Sequence, residues 1–134
     1  MGPVGDAPEI TEEEFLAALF LSIDLIPSTF DEIKNLQDTY GGTFAPVGSP
    51  GITPQVIQYD GQKVGWITTY ERDGELNISQ FEIFDTFQGK GIGRMVIENL
   101  QKEYDYIYSH NIENNEFWEK MGFEEIYGDA RWHR

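Results

Sequence analysis

The segment at 84–104, FDTFQGKGIGRMVIENLQKEY, sets Gly89, Gly91 and Gly93 in alternation directly ahead of a helical repeat. Ile92, Met95, Val96 and Leu100 recur at i, i+3, i+4 and i+8, one stripe of a helix. The apolar-rich run at 76–84 ends in the turn residues Asp85 and Thr86, so the order reads strand, glycine-rich turn, helix. The first N–H groups of a helix lack intrahelical acceptors, the macrodipole adds partial positive charge there, and glycines admit an anion close to the main chain. Lys90 and Arg94 add local cations. A tight strand-to-helix connection uses the same glycines, and spacing alone leaves both readings open.

The loop fails two familiar phosphate patterns. A Walker loop, G-x-x-x-x-G-K-S/T, needs Ser or Thr after its lysine, whereas Lys90 lies between glycines. A dinucleotide fingerprint, G-x-G-x-x-G, does not accommodate strict alternation. The spacing Gln88-x-x-Gly91-x-Gly93 instead resembles Q/R-x-x-G-x-G/A, the acyl-CoA pyrophosphate loop of the GNAT superfamily of acetyl-CoA-dependent N-acyltransferases. NIENNEFWEKMGF at 111–123 resembles the later motif of that superfamily, N-x-x-A-x-x-F/L-Y-x-K-x-G-F, matching at Asn111, Phe117, Lys120, Gly122 and Phe123. The resemblance implies an α/β (α+β) fold, a mixed, mostly antiparallel and splayed sheet flanked by helices. It also implies acetyl-CoA as co-substrate and a primary amine as acceptor.

A length of 134 residues suits one domain, 1–134, with 1–9 a loose lead-in carrying Gly2, Pro3, Gly5 and Pro8. With no cysteine, disulfides, thiolate nucleophiles and Cys-based metal sites are excluded. No metal is expected, since His110 and His133 are the only histidines and lie far apart in the chain. The start lacks a signal-peptide pattern and no apolar run is long enough for a membrane span, so the expected location is cytoplasmic. The 24 acidic residues against 9 basic ones, net charge −15, oppose binding to nucleic acid or an anionic membrane. That charge favours a cationic acceptor by long-range steering, or simply solvates the surface.

Thr11 and Glu14 form a capping box ahead of a helix carrying Phe15, Leu16, Leu19 and Phe20 on one face and stopped by Pro27. No opening strand is evident. Ser28 and Asp31 are expected to cap a second helix through Phe30, Ile33 and Leu36 to Gly41 and Gly42. Residues 22–32 would then border the acceptor pocket, as the resemblance implies. Asp60-Gly61 and Asp73-Gly74 join three antiparallel strands, the last leading into the glycine loop. A strand at 106–110, a short helix at 114–121 and a closing hairpin complete the chain.

The resemblance assigns the cofactor to Gln88, Gly89, Lys90, Gly91, Ile92, Gly93 and Arg94, with Ile83 and Phe84 on the strand before the loop and Asn111 and Trp118 beyond it. The main chain at Ile83 is expected to face the pantetheine arm and thioester, whose polarised carbonyl needs oxyanion-type donors. Relatives often carry a Glu or Tyr eleven residues before the loop's first residue, where this chain has Asn77. Alternation is expected to put Asn77, Ser79, Phe81 and Ile83 on one face and Glu82 on the other. Tyr106 occupies a position that can hold a catalytic His in peptide-amine-modifying relatives. Asn77 and Tyr106 are therefore the expected catalytic pair, holding a relay water, with Glu75 or Tyr108 in reserve.

Trp118 stands where relatives supply a Tyr as acid for the leaving thiolate, and an indole N–H does not release its proton at neutral pH. Three outcomes stay open: unassisted departure, another acid, or a site that binds acyl-CoA without turnover. The alternative to an active enzyme is therefore a catalytically weak acyl-CoA-binding or protein-interaction module. Either form suits a monomer or homodimer.

Overall fold

A computed structural model of the chain describes residues 11–13 and 23–134. In chain order the elements are β1 (Ile23–Pro27), α1 (Phe30–Tyr40), β2 (Thr53–Tyr59), β3 (Gln62–Arg72), β4 (Glu75–Ile83), α2 (Ile92–Glu103), β5 (Tyr106–Ser109), α3 (Asn115–Lys120), β6 (Glu124–Ile126) and β7 (Asp129–His133). The seven strands form one sheet, ordered β1-β2-β3-β4-β5-β7-β6. Every pairing is antiparallel except β4 with β5, giving the expected mixed, mostly antiparallel sheet.

The opening of the chain departs from the sequence reading. Ile23–Pro27 is an edge strand paired antiparallel to β2, not the end of a helix. Pro27 is tolerated as the last residue of an edge strand, where a missing donor costs little. The helix expected to carry Phe15, Leu16, Leu19 and Phe20 lies outside the described residues. The cap of α1 is Thr29 rather than Ser28. Thr29 Oγ1 accepts the Glu32 N–H at 3.1 Å, while Ser28 donates its hydroxyl proton to the Glu32 carboxylate.

The two hairpin turns form as read. Asp60 and Gly61, and likewise Asp73 and Gly74, all take positive φ, as a two-residue turn matched to strand twist requires. Two apolar layers cover the sheet. On one face Ile67, Leu76, Ile78 and Ile107 pack with Ile92, Val96, Ile97 and Leu100 of α2 and with Trp118. On the other, Val56, Trp66 and Phe84 pack with Ile33 of α1.

Two irregularities in β4 shape the site. First, its parallel pairing with β5 lasts only from Leu76↔Ile107 to Ile78↔Ser109, after which β5 ends and β4 runs on to Ile83. The strands part there, and the His110 N–H to the Ile78 carbonyl, 2.9 Å, is the bond at the fork. Second, Thr69 pairs with Ile78 and Thr68 with Gln80, so Ser79 is an extra, unpaired residue. One inserted residue reverses all later side chains. Glu82 therefore shares a face with Asn77, while Phe81 and Ile83 join Ile78 on the α2 side, correcting the alternation expected from sequence.

Candidate active site

The fork between β4 and β5 opens into a cleft of about 810 Å³. Ile78, Ser79, Phe81 and Ile83 form one wall, Ser109 to Asn114 the other, and Phe117 and Trp118 of α3 close it from the side. The Phe84 N–H donates to the Val64 carbonyl at 2.9 Å. In an antiparallel ladder this makes Glu82 and Gln80 the residues bonded to β3, and it turns the main-chain groups of Phe81 and Ile83 towards the side β5 has vacated. The cleft thus has an apolar lining and an unpaired strand edge.

The mouth of the cleft is the glycine loop. Gly89 and Gly91 both have φ of 78°, and Gly91 caps α2 in the left-handed conformation. The first helical bond, Met95 N–H to Gly91 O, is 3.1 Å, so the N–H groups of Ile92, Gly93 and Arg94 precede the ladder and have no intrahelical acceptor. Gly93 is different, since a Cβ there would meet Phe117 and Ile83 at ordinary contact distances of 3.5 and 3.7 Å. Gln88 spends its side chain on the fold, donating Nε2–H to the Ile83 carbonyl at 2.9 Å and so tying loop to strand.

The other residues assigned by resemblance divide. Ile83, Gln88, Gly89, Gly91, Ile92, Gly93, Arg94, Asn111 and Trp118 line the cleft. Lys90 does not, its ammonium lying 5.9 Å from the Phe87 ring centre. Phe84 does not either: it is fully buried in the α1 layer beside Trp66. Arg94 pairs with Glu98, one turn along α2. Asn111, with φ of 51°, donates its N–H to Asp129 Oδ1 at 2.8 Å. Trp118 is buried, edge-on to Phe81, Phe117 and Phe123.

Asn77 and Tyr106 are not brought together as a pair. Register sets Asn77 opposite Tyr108, two residues further along β5, and Tyr106 is 54% exposed and lines neither this cleft nor the cavity described next. Asn77 instead borders a second, polar cavity of about 450 Å³ with Tyr70, Glu75, Tyr108, His110 and Arg131. His110 lines both cavities. Its Nε2 lies 3.0 Å from Asn77 Oδ1 and 3.3 Å from the Tyr70 hydroxyl. Nearby, Tyr108 donates its hydroxyl to Asp129 Oδ2 at 2.6 Å. That bond, with the Asn111 N–H, holds the Asp129 carboxyl below its ordinary value and raises the Tyr108 phenol.

The family profile described as an acetyltransferase (GNAT) domain matches residues 52–125, more than half of the chain. The chain belongs to the GNAT acetyltransferase family. Among curated relatives it is 29% identical over 83 residues to an uncharacterized N-acetyltransferase of Halalkalibacterium halodurans, covering 52% of this chain and 48% of the relative. The chain therefore spans about half the length of that relative. In fold it is similar to an acetyltransferase of Thermus thermophilus, at TM-score 0.60 and 19% identity, covering 86% of this chain and 97% of the other. It is similar too to Escherichia coli YhhK, solved bound to coenzyme A, at TM-score 0.62 and 10% identity, covering 84% and 97%.

His110 is the residue at this GNAT site that sequence reasoning passed over, having weighed it only as a metal ligand. Its signal was its place, immediately before the second motif at Asn111.

Proposed function

We propose that the chain transfers an acetyl group from acetyl-CoA to a primary amine. The observation that carries this reading is the cleft itself, an unpaired strand edge running into a helix start with three N–H groups outside the ladder. The pyrophosphate is bound by the main chain of the 89–94 loop, with Arg94 at the rim. The pantetheine arm extends β4 by pairing with the main-chain groups of Phe81 and the N–H of Ile83, the Ile83 carbonyl being held by Gln88, which brings the thioester to the fork. A donor among those groups polarises the carbonyl as the tetrahedral oxyanion forms. The CoA-bound fold neighbour supports the same cofactor.

The negative field of a chain with net charge −15 favours a cationic acceptor: a polyamine, a lysine or peptide N-terminus, or an aminosugar. A site inside the cytoplasm, where acetyl-CoA is available, fits this chemistry. The test is thiol release from acetyl-CoA across such a panel, with loss of release on Gly91→Val.

One observation favours a second reading, a weakly active acyl-CoA-binding module. Trp118 is packed among three phenylalanines and supplies no titratable acid for the thiolate. Trp118→Tyr decides between them: turnover raised tenfold or more identifies a missing acid, and unchanged, substantial turnover shows that the thiolate needs none.

A further inference from the structure

We propose that His110 is the general base of this reaction and that the amine reaches it through the polar cavity on the sheet face opposite α2. The inference rests on the acetyl-transfer reading above. His110 follows the last β5 residue paired with β4, and it borders both the cofactor cleft and the polar cavity. A base that takes a proton from an amine attacking a thioester at the fork has to stand at such a junction.

The surroundings select one ring nitrogen. Asn77 Nδ2 donates to the Glu75 carbonyl at 3.3 Å, which turns Oδ1 towards the ring, 3.0 Å from His110 Nε2. Nε2 therefore carries the hydrogen in the neutral imidazole and Nδ1 keeps the lone pair. Among the described residues no side chain or main-chain donor bonds Nδ1. The ring is held between Tyr70 and Tyr108, with centroids 6.2 and 4.7 Å away. Asn77 is thus a positioning residue.

The charged groups around the ring come from each neighbouring strand. Asp129 of β7 is fixed by Tyr108 and Asn111. Arg131 of the same strand is tied to Glu75 at 3.4 Å and lies over the Tyr108 ring. Arg72 and Asp73 also line the cavity. Tyrosine faces and carboxylates suit a primary ammonium on a narrow arm.

In the reaction the ammonium gives one proton to His110 Nδ1, and the resulting amine attacks the thioester carbon. The C–N bond forms, the C–S bond breaks, and the electron pair leaves with sulfur. The nitrogen's second proton reaches the thiolate through solvent, while His110 releases its own to water.

The experiment compares wild type with His110→Gln and Asn77→Ala, measuring acetyl-CoA affinity by calorimetry and kcat/KM against pH with a linear diamine, an aminosugar and a lysine peptide. His110→Gln is expected to bind acetyl-CoA within about twofold of wild type, lose about 100-fold or more in kcat/KM, and lose the acid limb of the pH profile. Asn77→Ala, which frees the tautomer, is expected to lose about tenfold in kcat and shift that limb, with unchanged acetyl-CoA affinity. Turnover of His110→Gln within threefold of wild type, or an acid limb that survives in it, overturns the assignment to His110 alone. A wild type that binds no acetyl-CoA, or binds it and acetylates none of these amines, overturns both readings.

Discussion

Trp66 donates its indole N–H to Glu82 Oε1 at 2.9 Å, directly across the β3–β4 pair. The same carboxylate accepts from Gln37 Nε2 at 2.9 Å and from the N–H groups of Thr43 and Phe44 at 2.8 and 3.2 Å. One buried anion thus fastens α1 and the following loop to the sheet, and Thr43 and Phe44 in turn line the cofactor cleft.

Glu82→Gln should therefore destabilise the fold by about 2–3 kcal/mol, since a neutral amide both weakens charge-assisted bonds and presents a donor to donors. Burial pushes the Glu82 carboxyl up, but the bonds from Thr43, Trp66, Gln37 and Phe44 outweigh it and hold it below 4.5. A folded-state value below the unfolded one means that the unfolded chain binds more protons, so this stabilisation is present above pH 4.5 and fades as pH falls through the folded value. Denaturant melts between neutral and acid pH should show a flatter decline in the variant than in wild type.

Gly65→Ala should be more damaging than its size suggests. A Cβ at Gly65 would stand 2.3 Å from the Glu82 carbonyl oxygen, a main-chain atom that cannot rotate away. The expected cost is on the order of 3 kcal/mol, read from the denaturation midpoint.

The loop glycines should separate fold from ligand. At Gly91, φ of 78° makes any side chain cost about 1–2 kcal/mol although space is open, so Gly91→Ala should lower both the melting temperature and acetyl-CoA affinity. Gly93→Ala meets only ordinary contacts, and its melting temperature should stay within about 2 °C of wild type while acetyl-CoA affinity falls about tenfold. Paired thermal melts and titrations check both.

Trp118→Ala should cost about 3–5 kcal/mol, because it removes the ring that Phe81, Phe117 and Phe123 surround and leaves a void beside the cleft. Trp118→Phe should recover most of that loss in the same melting experiment.

The glycine loop, α2 and the Asp-Gly hairpins were legible because each has a local cause, in φ-demanding turn residues or a helical stripe. β1 was not, because five residues ending in proline offer too little pattern to separate a strand from a helix end, and their pairing with β2 is a distant contact. The bulge at Ser79 has no local signature at all. It decides which face Glu82 occupies, so an alternation argument placed Glu82 and Asn77 apart when they share a face. The pairing of Asn77 with Tyr108 rather than Tyr106 likewise depends on where two parallel strands meet, which neither strand's sequence states.

The most direct test of the central claim is calorimetric titration of the chain with acetyl-CoA, with desulfo-CoA and ATP in parallel. A loop that binds the pyrophosphate and a free β4 edge that binds pantetheine predict saturable binding of both CoA species with Kd below about 1 mM and no comparable binding of ATP. No binding of either CoA species at that concentration, or equal binding of ATP, would contradict the account.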